Sequence, residues 1–157
     1  MYEIHVTAVF PAPIEVVFDR LADHPRFIRG EGIDYCRVKV PGRDEPNGLG
    51  AIREVRALGL LFSEEITRFE RPHGYDYRIT EFRTASGRKL PFHHERGWLT
   101  LAAETGHTRV DWRSRFRIPI PLVGWVMERI QGIRLARGFA KLLAQADADI
   151  QAATPAG

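Results

Sequence analysis

Hydrophobic and polar residues along this chain follow two periods, first that of strands and then that of a helix. After a β-rich start at residues 2–10 and a short helical section, six further segments have strand-like patterns, beginning with IDYCRVKV at 33–40. Turn signals such as Gly59 and Thr105-Gly106 separate the later segments. Connections this short favour neighbouring antiparallel strands.

The section after the first strand, PAPIEVVFDRLAD, predicts a short helix. Pro13 suits the first helical turn, and Glu15 lies near the positive end of the helix dipole. The apolar residues fall on one side of this helix: Ile14, Val17, Phe18 and Leu21. A second short helix containing Phe27 and Ile28 is expected to follow.

The last third of the chain, from Leu122 to about Ala152, has a helical period. Its apolar residues share one side: Leu122, Trp125, Ile133, Ala136, Phe139, Ala140, Leu143, Ala146 and Ile150. At about 1.5 Å per residue this helix is roughly 45 Å long, enough to cover one face of a sheet. The sequence therefore predicts an α+β fold. A curved antiparallel sheet of about seven strands wraps around a long C-terminal α-helix, with two short helices after strand 1.

Small residues interrupt the apolar side of the long helix at Gly132, Ala136 and Ala140. They allow either a close approach of the helix backbone to the sheet or an unfilled space between the two. The second alternative would provide a cavity for a ligand.

Composition narrows the class of protein. The 157 residues suit a single domain spanning 1–157. Cys36 is the only cysteine, which excludes an internal disulfide and fits a reducing compartment. The first residues contain no basic leader and the apolar runs are short, so we expect a cytoplasmic protein without an integral membrane segment. The formal net charge is only +3, with basic and acidic residues mixed, so we expect no nucleic-acid partner.

Several segments resemble one known superfamily: VFPAPIEVVFDRLAD, NGLGAIREVRALG, EEITRFERPHGYDYRI and GHTRVDWRSRFRIPIP, followed by the long helix. The chain resembles the SRPBCC superfamily, the START-like, helix-grip group, and within it the polyketide cyclase/dehydrase-type branch. This resemblance covers almost the whole chain. It implies a cavity between sheet and helix that different members use for lipid carriage, hormone sensing or cyclase chemistry, so it bears on fold more than on function.

The segment PFHHERGW contains the most conspicuous polar residues. Neighbours on a strand point to opposite faces, so His93 shares a face with Glu95, Leu99 and Leu101, whereas His94 lies on the other face. The apolar character of Leu99 and Leu101 favours their face as the inward one. We therefore expect His93 and Glu95 to point toward the helix; a register shift of one residue would reverse this.

The same parity argument predicts the lining of a ligand cavity. The expected residues from the sheet are Tyr77, Ile79, Glu81, His93, Glu95, Leu99, Trp112, Ser114 and Phe116, and those from the helix are Trp125, Arg129, Ile133 and Ala136. Arg129 is unusual on an apolar side. It could pair with Glu81 or Glu95, or hold an acidic group of a ligand, or extend its guanidinium to water.

No cofactor or metal site is expected. His-x-Glu supplies two ligands at most, and HExxH is absent. A Gly-x-Ser-x-Gly elbow and a P-loop are absent too. Cys36 alternates with Val38 and Val40, which is typical of a buried, unreactive thiol.

Two functions remain. The leading one is binding of a small hydrophobic ligand, such as a lipid, an isoprenoid or a polyketide-like aromatic, between sheet and helix. The alternative is a cyclase/dehydratase in which His93 acts with Glu95 or Glu81 as acid and base.

Overall fold

The computed structural model describes residues 1–155 and has the element order that the sequence predicts. The elements are β1 (Tyr2–Phe10), α1 (Ile14–Ala22), α2 (His24–Phe27), β2 (Ile33–Val40), β3 (Ile52–Ala57), β4 (Leu60–Glu70), β5 (Gly74–Thr84), β6 (His93–Glu104), β7 (His107–Arg117) and α3 (Gly124–Ala153). Residues 156 and 157, which the predicted domain includes, lie outside the described residues. No helix in the described part is long and apolar enough to cross a membrane.

The seven strands form one antiparallel sheet in the order β1-β7-β6-β5-β4-β3-β2, so the predicted fold class is confirmed. Tight turns enforce this meander: Gly59 and Gly106 have φ angles of 74° and 76°, a region that residues with a Cβ avoid. The first strand forms one edge of the sheet and pairs with the last strand, from Tyr2 opposite Phe116 to Phe10 opposite Thr108.

Two β-bulges change which residues face the helix. In the β4–β5 pair, Ser63 lies opposite Glu81 but Glu64 lies opposite Ile79, so β5 has one extra residue. In the β6–β7 pair, the register shifts between His94 and Arg96, so β6 has one extra residue. Each bulge reverses the inward and outward parity for the part of the strand beyond it.

Helix α3 packs on β1 and β7, and α1 packs against it. The C-terminal half of α3 is anchored in the core by Leu143, Ala146 and Ile150, as the helical pattern predicts. In the N-terminal half, a Cβ added to Gly132 would lie 2.0 Å from Tyr2 Cε1. The glycine there serves a close approach of the helix backbone to β1.

Candidate functional site

The three predicted acid/base residues lie outside the space between sheet and helix. His93, Glu95 and Glu81 are all exposed. Glu81 pairs with Arg83, and Glu95 lies 3.5 Å from Arg115. Their predicted inward orientation is wrong because the two bulges displace the strand parity at these positions.

The predicted helix residues are also mostly outside. Trp125 is 70% exposed and Ile133 43% exposed, and Arg129 is exposed. Ala136 is half-buried against the cluster of Ile4 and Phe116. The prediction fails for the first three because α3 lies over β1 and β7, so this part of its apolar stripe does not face the sheet.

The buried charge on α3 is Glu128 rather than its neighbour Arg129. Glu128 accepts a hydrogen bond from the Ile118 backbone N–H at 2.9 Å and lies 3.2 Å from the amino terminus. No ion pair of Arg129 occurs within residues 1–155, so neither predicted carboxylate partner is near it. The guanidinium reaches water, the last of the alternatives that the sequence left open.

The predicted sheet residues do meet in the interior. Tyr77, Leu99, Trp112, Ser114 and Phe116 are buried, and Ile79 is half-buried. The Trp112 indole stacks on Phe139 of α3, with ring centroids 3.7 Å apart and planes within 6°. Trp112 Nε1 donates a hydrogen bond to the Tyr77 hydroxyl at 3.1 Å.

A buried ion pair on β3 and β4 is the main feature that parity reasoning missed. Arg53, 1% exposed, lies directly opposite Glu64 in the β3–β4 register. Arg53 Nε donates to Glu64 Oε2 at 2.5 Å, and Arg53 Nη1 donates to His24 Nδ1 at 2.8 Å. The guanidinium carbon also lies 4.9 Å from the centroid of the Tyr77 ring. These contacts hold a charged group in the interior, between His24 of α2 and the Tyr77 ring.

The environment of Arg53 keeps it charged. Burial is the largest single influence and would lower the pKa of Arg53, but the Glu64 carboxylate and, to a smaller extent, Tyr75, Cys36 and Tyr77 together raise it. His24 is the opposite case: burial and the Arg53 charge lower its pKa well below the ordinary value. Neutral His24 accepts from Arg53 through Nδ1 and donates from Nε2 to the Asn47 carbonyl at 3.0 Å. Both its ring nitrogens are therefore occupied.

His94 occupies the inward position that was predicted for His93. Its Nδ1 accepts from the Ile79 backbone N–H at 3.0 Å, which leaves Nε2 to donate to Ser114 Oγ at 3.0 Å. Burial, with smaller contributions from His93 and Arg78, lowers the pKa of His94 to about 4. His94 is thus neutral near pH 7 with both nitrogens engaged, an arrangement that suits structural support better than proton transfer.

Two polar groups at this floor have hydrogen-bonding capacity left. Within the described residues, Glu64 accepts a hydrogen bond only through Oε2, which leaves Oε1 unused. Burial raises the pKa of Tyr77, so its hydroxyl keeps its proton. That hydroxyl accepts from Trp112, but its own proton has no acceptor among residues 1–155. An acceptor and a donor therefore remain for a ligand.

Aromatic rings surround this floor. Phe62 and Phe82 are half-buried with centroids 4.8 Å apart, and Phe82 lies the same distance from Phe92. We use the name cleft for the inner side of the β3–β6 part of the sheet. Its floor consists of Arg53, Glu64, Tyr77 and His94, and its rim consists of Phe62, Phe82 and Phe92.

Two surface grooves, of about 230 and 480 Å³, lie elsewhere on the molecule. One runs between β1 and the C-terminal half of α3, and the other lies where β1 connects to α1. Neither touches the floor of the cleft.

Other predicted features can be placed as well. Cys36 is buried, as predicted, and burial raises its pKa to about 12, so the thiol is unreactive. Among residues 1–155 no group of three or more histidine, cysteine or carboxylate side chains could hold a metal ion.

The floor of the cleft depends on a glycine. A Cβ added to Gly97 would lie 2.2 Å from Cζ of the Tyr77 ring. That ring also stacks on His94 and accepts a hydrogen bond from Trp112, so moving it away from the added methyl group would disturb both contacts. We expect Gly97→Ala to lower the free energy of unfolding by about 1–3 kcal/mol through overpacking.

Gly138→Ala is the matched control, because its Cβ would meet nothing within 4 Å on α3. There alanine should raise stability by up to about 1 kcal/mol through helix propensity. Urea titrations of both variants measure the difference. Equal stability of Gly97→Ala and wild type would show that Tyr77 is not held over Gly97.

Comparison with known proteins gives one family and many structural neighbours. The family described as "Polyketide cyclase / dehydrase and lipid transport" matches residues 1–150. No curated protein matches the chain. The crystal structure of TTHA0849 from Thermus thermophilus superposes with a TM-score of 0.75 at 16% identity, covering 98% of this chain and 100% of that one.

Two other solved structures extend the comparison. A START superfamily protein from Mycobacterium smegmatis has a TM-score of 0.70 at 11% identity, with coverage of 98% of this chain and 100% of that chain. DynU16, described as a putative protein in the dynemicin biosynthetic locus, has a TM-score of 0.66 at 17% identity. That match covers 98% of this chain but only 48% of DynU16. At these identities the likeness concerns the fold alone.

Proposed function

We propose that this protein binds a small hydrophobic molecule in the cleft. The chain belongs to the polyketide cyclase / dehydrase and lipid transport family. The observation that carries this proposal is the hydrogen-bonding capacity left at the floor: Glu64 Oε1 has no partner among residues 1–155, and the Tyr77 hydroxyl, which accepts from Trp112, still has a proton to donate. Ligand sites combine apolar walls with a few placed polar groups, and the rim of phenylalanines supplies such walls.

The floor favours a ligand with a hydroxyl group over one with a carboxylate. Glu64 accepts hydrogen bonds only, and Tyr77 has a proton to donate. A hydroxyl group has the matching chemistry, because it can donate to a carboxylate and accept from a phenol. Arg53 is already neutralised by Glu64, so it offers little to an anionic group. A hydroxylated lipid, isoprenoid or polyketide-like aromatic fits this chemistry.

The cyclase/dehydratase alternative loses its predicted residues. His93, Glu95 and Glu81 are exposed, and the inward His94 is neutral with both nitrogens engaged. Acid/base chemistry in the cleft would have to use Glu64 and Tyr77, whose phenol is a poor acid because burial raises its pKa. We therefore prefer binding without turnover.

Mass spectrometry of the protein purified from its own host tests this proposal. We expect a hydroxylated, largely apolar compound to be released unchanged on denaturation and to be lost from a Tyr77→Phe sample. Conversion of the released compound into a new product by fresh protein would favour the enzyme. Absence of any bound compound, together with failure to bind compounds from a total lipid extract, would contradict ligand binding.

A further inference from the structure

Large apolar side chains are exposed on one continuous stretch of the chain. Of the thirteen large hydrophobic residues that are exposed within residues 1–155, seven lie between positions 122 and 133. Scattered apolar residues are normal on a protein surface, but a cluster marks an interaction site. We call this set the α3 apolar surface: Leu122, Val123, Trp125, Val126, Met127, Ile130 and Ile133.

The α3 apolar surface begins at one end of the sheet. That end contains the start of β1, the end of β7 and the β3–β4 turn. Leu58 on this turn is 82% exposed and Met1 is 62% exposed. The Ala85 N–H donates to the Gly59 carbonyl at 2.9 Å, so the β5–β6 loop joins the same end. Two further exposed apolar residues, Met1 and Leu58, therefore lie at the same end of the molecule.

The backbone at Leu122 is strained in a way that exposes its side chain. Leu122 has a φ angle of 66° and is 93% exposed. The left-handed region costs a leucine on the order of 1 kcal/mol, and the exposed side chain gains nothing from the core in return. Strain of this kind is often found at functional positions.

The charged residues in this part of the chain are almost all positive. Between Asp111 and Asp147 the chain has one acidic residue, Glu128, which pairs with the amino terminus. The basic residues close to the apolar ones in sequence are exposed, namely Arg117, Arg129, Arg134 and Arg137, and Arg88 and Lys89 are exposed on the β5–β6 loop at the same end of the sheet. The α3 apolar surface therefore combines apolar side chains with exposed arginines on the same helix.

We propose that the α3 apolar surface docks on an anionic lipid bilayer. Leu122, Val123 and Trp125 enter the headgroup region, and the arginines contact lipid phosphates. Tryptophan favours this interface because its ring is amphipathic. A second copy of the chain is a poorer occupant, since a symmetric contact would bring the same arginines together. The inference is independent of the ligand in the cleft, because it concerns the outer surface.

Vesicle flotation of the purified protein tests this docking. In 0.1 M NaCl we expect binding to vesicles of 70% phosphatidylcholine and 30% phosphatidylglycerol that is at least tenfold tighter than to pure phosphatidylcholine. Raising the salt to 0.5 M should weaken it, because the arginine contacts are screened. The tryptophan emission should shift to the blue as Trp125 leaves water.

Neutral substitutions separate the apolar contribution from the ionic one. Leu122→Asn with Trp125→Gln should lower the affinity for anionic vesicles at least tenfold and abolish the blue shift. Both side chains are exposed and asparagine tolerates the left-handed backbone at position 122, so the melting temperature should be equal to or slightly above that of wild type. Arg129→Gln and Arg134→Gln should each weaken binding about fivefold. The matched control is Leu49→Asn, an exposed leucine on the β2–β3 loop at the other end of the sheet.

Three results would overturn the proposal. The first is no binding of wild type to anionic vesicles. The second is equal binding by wild type and the Leu122→Asn, Trp125→Gln variant. The third is a dimer in sedimentation equilibrium that this variant dissociates, which would assign the surface to a second copy of the chain.

Discussion

Replacing Glu64 with alanine should lower the free energy of unfolding by about 3–5 kcal/mol, the usual cost of breaking a buried ion pair. The substitution leaves the Arg53 guanidinium charged, because its pKa is too high for deprotonation. Arg53 is 1% exposed, so the guanidinium loses its carboxylate partner in a buried position. Its remaining contacts, to His24 Nδ1 and the faces of Tyr75 and Tyr77, compensate only in part.

Glu65→Ala is the matched control, because the next residue is exposed on the opposite face of β4. It should change stability by less than about 0.5 kcal/mol. The double variant Arg53→Met, Glu64→Leu should recover most of the loss, since two apolar side chains replace two charges. Urea titrations measure all three. A Glu64→Ala protein as stable as Glu65→Ala would show that the pair is open to solvent.

Lowering the pH from 6.5 to 4 should remove about 3 kcal/mol of stability through His94 alone. The pKa of His94 is about 4 in the folded protein, against 6.5 ordinarily, because the ring is buried. Between these values the unfolded chain takes up a proton that the folded protein excludes. The contribution of neutral His94 to the free energy of unfolding is therefore fully present above pH 6.5 and is lost as the pH falls toward 4. His24, whose pKa is also lowered, adds in the same direction.

The difference between wild type and His94→Asn isolates this effect from the titration of carboxylates. Asparagine keeps an acceptor for the Ile79 N–H but does not titrate, so its stability should depend less steeply on pH between 6.5 and 4. His73→Gln, at an exposed histidine, should follow wild type. Denaturant titrations at four pH values give the slopes. Identical slopes for wild type and His94→Asn would contradict a buried neutral His94.

The fold could be predicted because its signals are local. Strand alternation, glycine turns and the change of period near Leu122 each depend on a few neighbouring residues. The inward parity of Tyr77, Leu99 and Trp112 was right for the same reason, since they lie on regular stretches of strand. Repeating sequence patterns are sufficient to locate such positions.

Two bulges account for the errors at Glu81, His93 and Glu95. A bulge inserts one residue and reverses the parity beyond it. The inserted residues here are Thr80 and Glu95, and neither is a glycine or proline that would indicate a bulge in the sequence. The parity of β6 is right at Leu99 and wrong only on the far side of its bulge. Strand alternation alone therefore could not distinguish His93 from His94.

The errors on α3 have a different cause. The helical pattern correctly predicted an apolar stripe on α3. It could not predict which part of that stripe the sheet covers. Trp125 and Ile133 belong to the stripe and are nevertheless exposed. Only the docking of α3 on β1 and β7 decides which part of the stripe is covered, and that is a tertiary property.

The sequence contains a signal for the Arg53–Glu64 ion pair. The turn at Leu58-Gly59 fixes the register of the β3–β4 hairpin, so that Arg53 lies opposite Glu64. Opposite charges at directly opposed positions indicate a cross-strand ion pair. Its burial could not be predicted in the same way, because it depends on α2 and His24.

Binding of 2-naphthol and naphthalene by wild type and Tyr77→Phe tests most directly whether a ligand hydroxyl is held at the floor of the cleft. The two probes differ by one hydroxyl. We predict that wild type binds 2-naphthol at least tenfold more tightly than naphthalene, and that Tyr77→Phe reduces this ratio to near unity. Tyr35→Phe, which removes a hydroxyl bonded to Glu54 outside the cleft, should leave the ratio unchanged. A ratio near unity in wild type, or the same ratio in wild type and Tyr77→Phe, would contradict the proposed site.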